Sequence, residues 1–171
     1  MTVAEMELAL ERLGRQLADQ GVSADIVIAG GAWMALVLGA RDVTKDIDAY
    51  LAPPTGPIRQ AIHAVAHYLG LAEDWLNDGV KGFFFREPPR TLWREFHGLR
   101  VYVVSADYML ALKIYAARGS DTDDAIALIR HLGLRSVKDV LVIVEQYIPE
   151  RLLTVRHRYF AEGCMEEADS S

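Results

Sequence analysis

The sequence predicts an α+β protein: a mixed β-sheet flanked by helices, followed by a C-terminal helical subdomain. Three observations lead there. The run Ile26, Val27, Ile28, Ala29 has the length and composition of a buried strand and breaks at Gly30 and Gly31. Residues 99–104 form a second run of strand-forming side chains, with Tyr102 among valines. From Ser105 onward every apolar pattern has helical spacing.

The elements follow in order. Residues 3–19 carry Val3, Met6, Leu8, Leu10, Leu13 and Leu17 among charges, which predicts an amphipathic helix ended by Gly21. Residues 25–29 read as a short strand, 32–38 as a helix stopped at Gly39, 41–45 as a loop and 46–51 as the second strand. Pro53, Pro54, Gly56 and Pro57 mark a turn before a helix over 58–69, with Gly70 as its cap. Residues 74–79 read as a loop or a short helix. Pro88 and Pro89 separate two extended segments, 82–86 and 92–96, and 99–104 is a third. Ser105 is placed to cap a helix over 106–117, Asp121 or Thr122 a helix to His131, and Ser136 a helix to Tyr147. Pro149 starts the last helix, and 166–171 read as an acidic, frayed tail. The predicted division is an α/β core over 1–104, a helical subdomain over 105–165 packed on that core, and a flexible tail over 166–171.

The 171 residues are 51% apolar and 25% charged, enough to build a real core. A net charge of −6 argues against broad electrostatic capture of nucleic acid, while leaving room for a local basic groove. The single cysteine, Cys164, excludes an intrachain disulfide and a cysteine zinc cage. No run of about 18 apolar residues offers a membrane span. The N-terminal residues are acidic and lack the pattern of a secretory leader, so the expected location is the cytoplasm.

The chemistry concentrates around residues 30–48. Side chains alternate along a strand, so Asp46 and Asp48 project from one face with their carboxylates roughly 6–7 Å apart. Paired glycines let a ligand approach the backbone at Gly30 and Gly31, and the following helix turns free N–H groups toward an anion. Together these features predict a site for a nucleoside triphosphate with magnesium. Arg41 and Lys45 flank the aspartates, where they either form surface salt bridges or bind the incoming triphosphate; salt bridging is the simpler reading. Lys113 falls in an apolar helical stretch, where it either snorkels to solvent or reaches a phosphate. Asp121, Asp123 and Asp124 surround a helix start. Capping explains one of them, and Asp124, then Asp121, is the candidate to face the site.

Other features have simpler readings. Trp33 reads as core packing beneath the glycine turn. His63 and His67 stand one helical turn apart without a third ligand, which predicts a helix surface rather than zinc. Phe83, Phe84 and Phe85 with Arg86, Arg90 and Arg94 mix aromatics and cations, as either one face of a core strand or a groove wall for RNA. Neither a Gly-x-Ser-x-Gly elbow nor a Walker A loop is present.

Gly30-Gly31-Ala32-Trp33-Met34-Ala35-Leu36, followed by Arg41, Thr44 and Asp46-Ile47-Asp48, resembles the nucleotidyltransferase superfamily with its polymerase-β-like core. Within it, the chain resembles the minimal bacterial nucleotidyltransferase-like proteins of the AbiEii/MenT toxin group and the DUF6036 type. Leu110-Ala111-Leu112-Lys113-Ile114, then Arg118, Asp121 and Asp124, is similar to that group's downstream segment. The likeness covers roughly residues 22–132.

The resemblance implies that Asp46 and Asp48 hold divalent metal (Mg2+ or Mn2+) and that Gly30 and Gly31 cradle the triphosphate. Lys113 would contact phosphate, and Asp121 or Asp124 would complete the polar site. It implies transfer of a nucleotidyl group from an NTP to an acceptor hydroxyl on RNA, a protein or a small molecule, within a toxin–antitoxin or stress system that supplies a cognate antitoxin. Two departures stand out. The turn is Gly-Gly followed by Ala32, without the serine many members carry, and residues 99–104 hold no third carboxylate, the nearest being Glu95. They favour an alternative: a catalytically impaired module that binds nucleotide or a protein partner.

Overall fold

Thr2 opens the first helix, α1 (Val3–Asp19), with a capping box: its hydroxyl accepts from Glu5 N at 3.2 Å, and the Glu5 carboxylate accepts from Thr2 N at 2.7 Å. Met6, Leu10, Leu13 and Leu17, three or four residues apart, are fully buried, as their spacing predicts. The computed structural model describes residues 1–170, and Ser171 lies outside the described residues. The chain divides into two units. One comprises Met1–Gly82 with Arg90–Val104; the other comprises Phe83–Pro89 with the chain from Ser105 onward.

The first unit is a five-stranded mixed sheet with helices. Its strands are β1 (Ala24–Ile28), β2 (Ile47–Leu51), β3 (Leu76–Asn77), β4 (Arg90–Phe96) and β5 (Leu99–Val104), in the order β3-β2-β1-β5-β4. β1 runs antiparallel to β2 and parallel to β5; β2 and β3 are parallel, and β4 and β5 form an antiparallel hairpin. Ile26 and Ile28 pair with Leu51 and Ala49 on one side and with Val101 and Val103 on the other, so these apolar side chains share one buried face. Asp48 and Tyr50 alternate to the opposite face. Helix α2 (Gly30–Trp33) follows β1 and continues as a π-helical turn, Met34–Leu38. Helix α3 (Thr55–Leu69) packs on α1, which also packs on β5. Trp33 is buried, and its indole N–H donates to Val104 O at 2.7 Å, so its side chain belongs to the core as expected.

The second unit is helical: α4 (Ala106–Ala116), α5 (Thr122–His131), α6 (Val137–Tyr147) and α7 (Val155–Asp169). α4 is the central element, packing against α5, α6 and α7. It buries Tyr108 to Ile114 without interruption, Lys113 being the one charged side chain in that run, the pattern of a helix packed on every side.

The structure corrects several expectations. The helix after β1 begins at Gly30, not residue 32. β2 begins at Ile47, which leaves Asp46 on the bend before it. Residues 74–79 contain β3, a strand too short to show alternation. Residues 82–86 are not extended: Gly79–Phe83 is a 3-10 turn. Phe83 and Phe85 meet the Tyr115 ring edge-on, Phe84 meets Tyr108 likewise, and Phe83–Pro89 therefore belongs to the helical unit rather than to the sheet core. Residues 166–169 are helical rather than a flexible tail. Cys164 and Met165 are buried on α7, and Arg130 donates to Glu167 O and Ala168 O at 3.2 and 3.3 Å, satisfying carbonyls of the last turn.

Candidate functional site

The strand-to-helix turn after β1 is built around Gly30, whose φ is +66°. That left-handed conformation suits glycine and strains any residue with a Cβ. The space a Cβ would fill is taken by a side chain: Asp48 Oδ2 lies 2.5 Å from that point. β2 brings it there, since Ala29 N donates to Asp48 O at 3.0 Å and extends the β1–β2 ladder to the turn. The Asp48 carboxylate is therefore held against the diglycine bend by the register of two strands.

A second residue lies over Gly31. Thr44 Oγ1 lies 2.7 Å from where a Gly31 Cβ would stand, and an Arg41 guanidinium nitrogen lies 3.9 Å from the same point. Thr44 is buried, its hydroxyl donates to Asp46 O at 3.1 Å, and its carbonyl accepts from the N-terminal ammonium of Met1. A hydroxyl and a cation thus stand beside a turn whose own residues carry neither.

Asp46 is positioned differently. It precedes the strand, and Asn77 Nδ2 donates to its Oδ2 at 3.3 Å. Asn77 sits in register with Asp48 on β3, while its Oδ1 accepts from Gly79 N at 2.9 Å. A Cβ on Gly79 would lie 2.9 Å from Asn77 Oδ1 and 3.7 Å from Asp48 Oδ1. Asp48 thus has Gly30 beside one carboxylate oxygen and Gly79 beside the other.

The first unit therefore brings together Asp46, Asp48, Gly30, Gly31 and Arg41. Lys45 faces elsewhere: its ammonium lies 3.7 Å from the Asp74 carboxylate in an exposed ion pair, the simpler of its two readings. Glu95 lies at the far end of the sheet. It pairs with Arg100, which is in register with Asp25, roughly 16 Å along the chain from the glycine turn. His63 Nδ1 lies 2.6 Å from the Glu73 carboxylate on an exposed helix face.

Sequence reasoning missed Asn77, Gly79 and Thr44. The only signal for the first two was the turn-forming run Asn77-Asp78-Gly79, and nothing local ties it to Asp46, 31 residues earlier. Thr44 was noted only within the resemblance.

Lys113, Asp121 and Asp124 lie in the helical unit. The Lys113 ammonium contacts Asp121 Oδ1 at 2.6 Å and Asp124 Oδ2 at 2.7 Å, and the three side chains are 10%, 9% and 3% exposed. One cation thus meets two carboxylates in a nearly dry setting. Asp121 Oδ2 is buried and receives no hydrogen bond from the described residues. Two of the three ammonium N–H donors of Lys113 are engaged by carboxylates. Nearby, Asp107 receives the Tyr147 hydroxyl at 2.5 Å and Tyr108 N at 2.8 Å. Burial raises the Asp107 pKa, but the nearby Ser105 hydroxyl and hydrogen bonds from Tyr147 and Tyr108 outweigh it and hold the carboxyl below its usual range. Burial first, and the Asp107 carboxylate second, push the Tyr147 hydroxyl up to about 12.

Among the described residues no group of three or more His, Cys, Asp or Glu side chains gathers as a metal cage. The oxygen donors near the glycine turn are nevertheless of one kind: two carboxylates and a threonine hydroxyl, hard ligands without sulfur or imidazole, with the Asn77 amide bonded to Asp46 beside them. That set fits magnesium or manganese, which takes one or two protein carboxylates and completes its shell with phosphate oxygens and water. No family model matches the chain, and neither a curated protein nor a solved structure matches it significantly.

Proposed function

We propose that this chain is a metal-dependent nucleotidyltransferase that moves a nucleotidyl group from a nucleoside triphosphate to an acceptor hydroxyl. The observation that carries the reading is the Asp48 carboxylate lying in the space left open by Gly30, at the turn where a phosphate can approach the backbone. In this reading Asp46 and Asp48 hold the divalent ions and Gly30 and Gly31 receive the triphosphate. Arg41, close to Gly31, adds positive charge on the phosphate side. A bound divalent ion would offset the charge of the triphosphate and of the departing pyrophosphate. The β1–β2 ladder pre-sets Asp48, so little conformational freedom is lost when substrate arrives. Assignment to a toxin–antitoxin or stress system, with RNA as the acceptor and a cognate antitoxin as partner, rests on the sequence resemblance.

The test is incubation of the full chain with each α-labelled triphosphate, magnesium and total cell extract, with pyrophosphate release followed in parallel. The reading expects one class of extract molecule to become labelled, with matching pyrophosphate. Triphosphate binding in calorimetry without label or pyrophosphate supports a second reading, a nucleotide-binding module without turnover. One observation favours that alternative: β5 offers only Val103 and Val104 at the site's end of the sheet, and Glu95 lies at the other end.

A further inference from the structure

We infer that Asn77 is a positioning residue for the Asp46–Asp48 pair and sets how strongly that pair holds a divalent cation. The inference rests on the metal-site reading above. Asp46 lies outside β2, so no ladder hydrogen bond fixes its direction. The Thr44 hydroxyl holds its carbonyl, and the neighbouring edge holds the chain after it: Ile47 N donates to Trp75 O at 2.7 Å, and β3 lies parallel to β2 with Asn77 opposite Asp48. From this position the amide serves both acids. Its N–H group meets Asp46 Oδ2, and its oxygen takes the Gly79 N–H, closing a side-chain turn over two residues. That turn brings Gly79 alongside Asp48 Oδ1, and the missing Cβ leaves room for Asn77 Oδ1, which would otherwise lie 2.9 Å from it.

The residue type matters as much as the place. A carboxylate here would add a third negative charge, and a lysine or arginine would neutralise Asp46 and compete with a cation. The neutral amide satisfies one oxygen of Asp46 and leaves its charge for a metal. Its orientation is fixed by the network, since the Gly79 N–H requires Oδ1 on that side and leaves Nδ2 for Asp46. Groups of this kind, bonded to a metal ligand rather than to the metal, typically change metal affinity about 10- to 100-fold when removed.

The experiment titrates Mn2+ alone into the full chain and follows the free ion by electron paramagnetic resonance, with a melting curve on every variant. Wild type, Asn77→Ala, Asn77→Asp and Asp46→Asn are compared. The inference expects Asn77→Ala to weaken Mn2+ about tenfold. It expects Asn77→Asp, which keeps an oxygen for the Gly79 N–H but loses the donor to Asp46, to weaken Mn2+ as well, with both melting curves close to wild type. Tighter binding by Asn77→Asp would mean that charge and not the hydrogen bond sets the affinity, and overturns the positioning role. A residue that only supports the fold would weaken binding in both variants and lower both melting curves. Unchanged affinity in both Asn77 variants, while Asp46→Asn loses binding, overturns the role of Asn77 and leaves the metal site standing. Absence of Mn2+ binding by wild type overturns the site reading and this inference with it.

Discussion

Asp48 Oδ2 occupies the space beside Gly30 that a side chain would need, 2.5 Å from the ideal Cβ position. The strand residue and the turn residue therefore constrain each other. Gly30→Ala meets two penalties: a positive φ that costs about 1–2 kcal/mol in a non-glycine residue, and a methyl group that must expel the carboxylate. The expected result is about 1–3 kcal/mol less stability in urea unfolding, together with lost Mn2+ and triphosphate binding. Gly163→Ala, exposed in the middle of α7 with nothing within 4 Å of the new methyl, should be neutral or stabilising by up to about 1 kcal/mol.

Asp46→Asn and Asp48→Asn preserve shape and remove charge. Both side chains are half-buried rather than sealed in the core, so the fold should persist with melting temperatures close to wild type. Metal-dependent transfer should fall about 100- to 1,000-fold in each, the effect of losing several kcal/mol of charge stabilisation. Pyrophosphate release measured beside a thermal melt separates the two effects. Transfer by Asp48→Asn within threefold of wild type would remove that carboxylate from the mechanism.

The legible parts of this protein were those whose cause is local. α1 announces itself through its apolar spacing, and Ile26 to Ile28 through a buried-strand composition broken by glycines. Asp48 and Gly30 were visible as types and spacing, though their contact depends on β1–β2 register. The failures share another origin. β3 is two residues long, so period-two alternation has nothing to act on. Phe83 to Phe85 carry strand propensity, yet the rings of Tyr108 and Tyr115 decide where they go. Residues 166–169 look like a solvated acidic tail because the Arg130 that holds their carbonyls is 37 and 38 residues away. Asn77 escapes notice for the same reason: an amide has no motif until a neighbouring strand gives it a carboxylate.

Asp107 links pH to the stability of the helical unit. Its folded pKa lies below the ordinary carboxylate value, so its contribution is present above the unfolded pKa and is lost as pH falls through the folded one. Tyr147→Phe removes the hydroxyl donor while keeping the ring that meets Tyr108 edge-on. The folded Asp107 pKa should then rise toward its unfolded value. Stability near neutral pH should drop slightly, and acid unfolding should depend less on pH below about 4. Urea titrations of both proteins between about pH 3 and pH 7 measure this directly; identical slopes would mean that the hydroxyl does not tune the carboxylate.

The Lys113 cluster separates a structural charge group from a functional one. Lys113→Met leaves the Asp121 and Asp124 carboxylates buried without their cation, a change that typically costs about 3–5 kcal/mol. Replacing all three together, Lys113→Met with Asp121→Leu and Asp124→Leu, removes the charges and their desolvation alike, and should recover most of that loss or exceed wild-type stability. If the cluster only organises the α4–α5 packing, the triple variant should melt near wild type and retain nucleotide transfer. If Lys113 contacts a phosphate, as the resemblance implies, the same well-folded variant should lose transfer. Stability and activity measured on that one protein therefore distinguish the roles, because the single substitution alone would confound a missing phosphate contact with an unfolded helical unit.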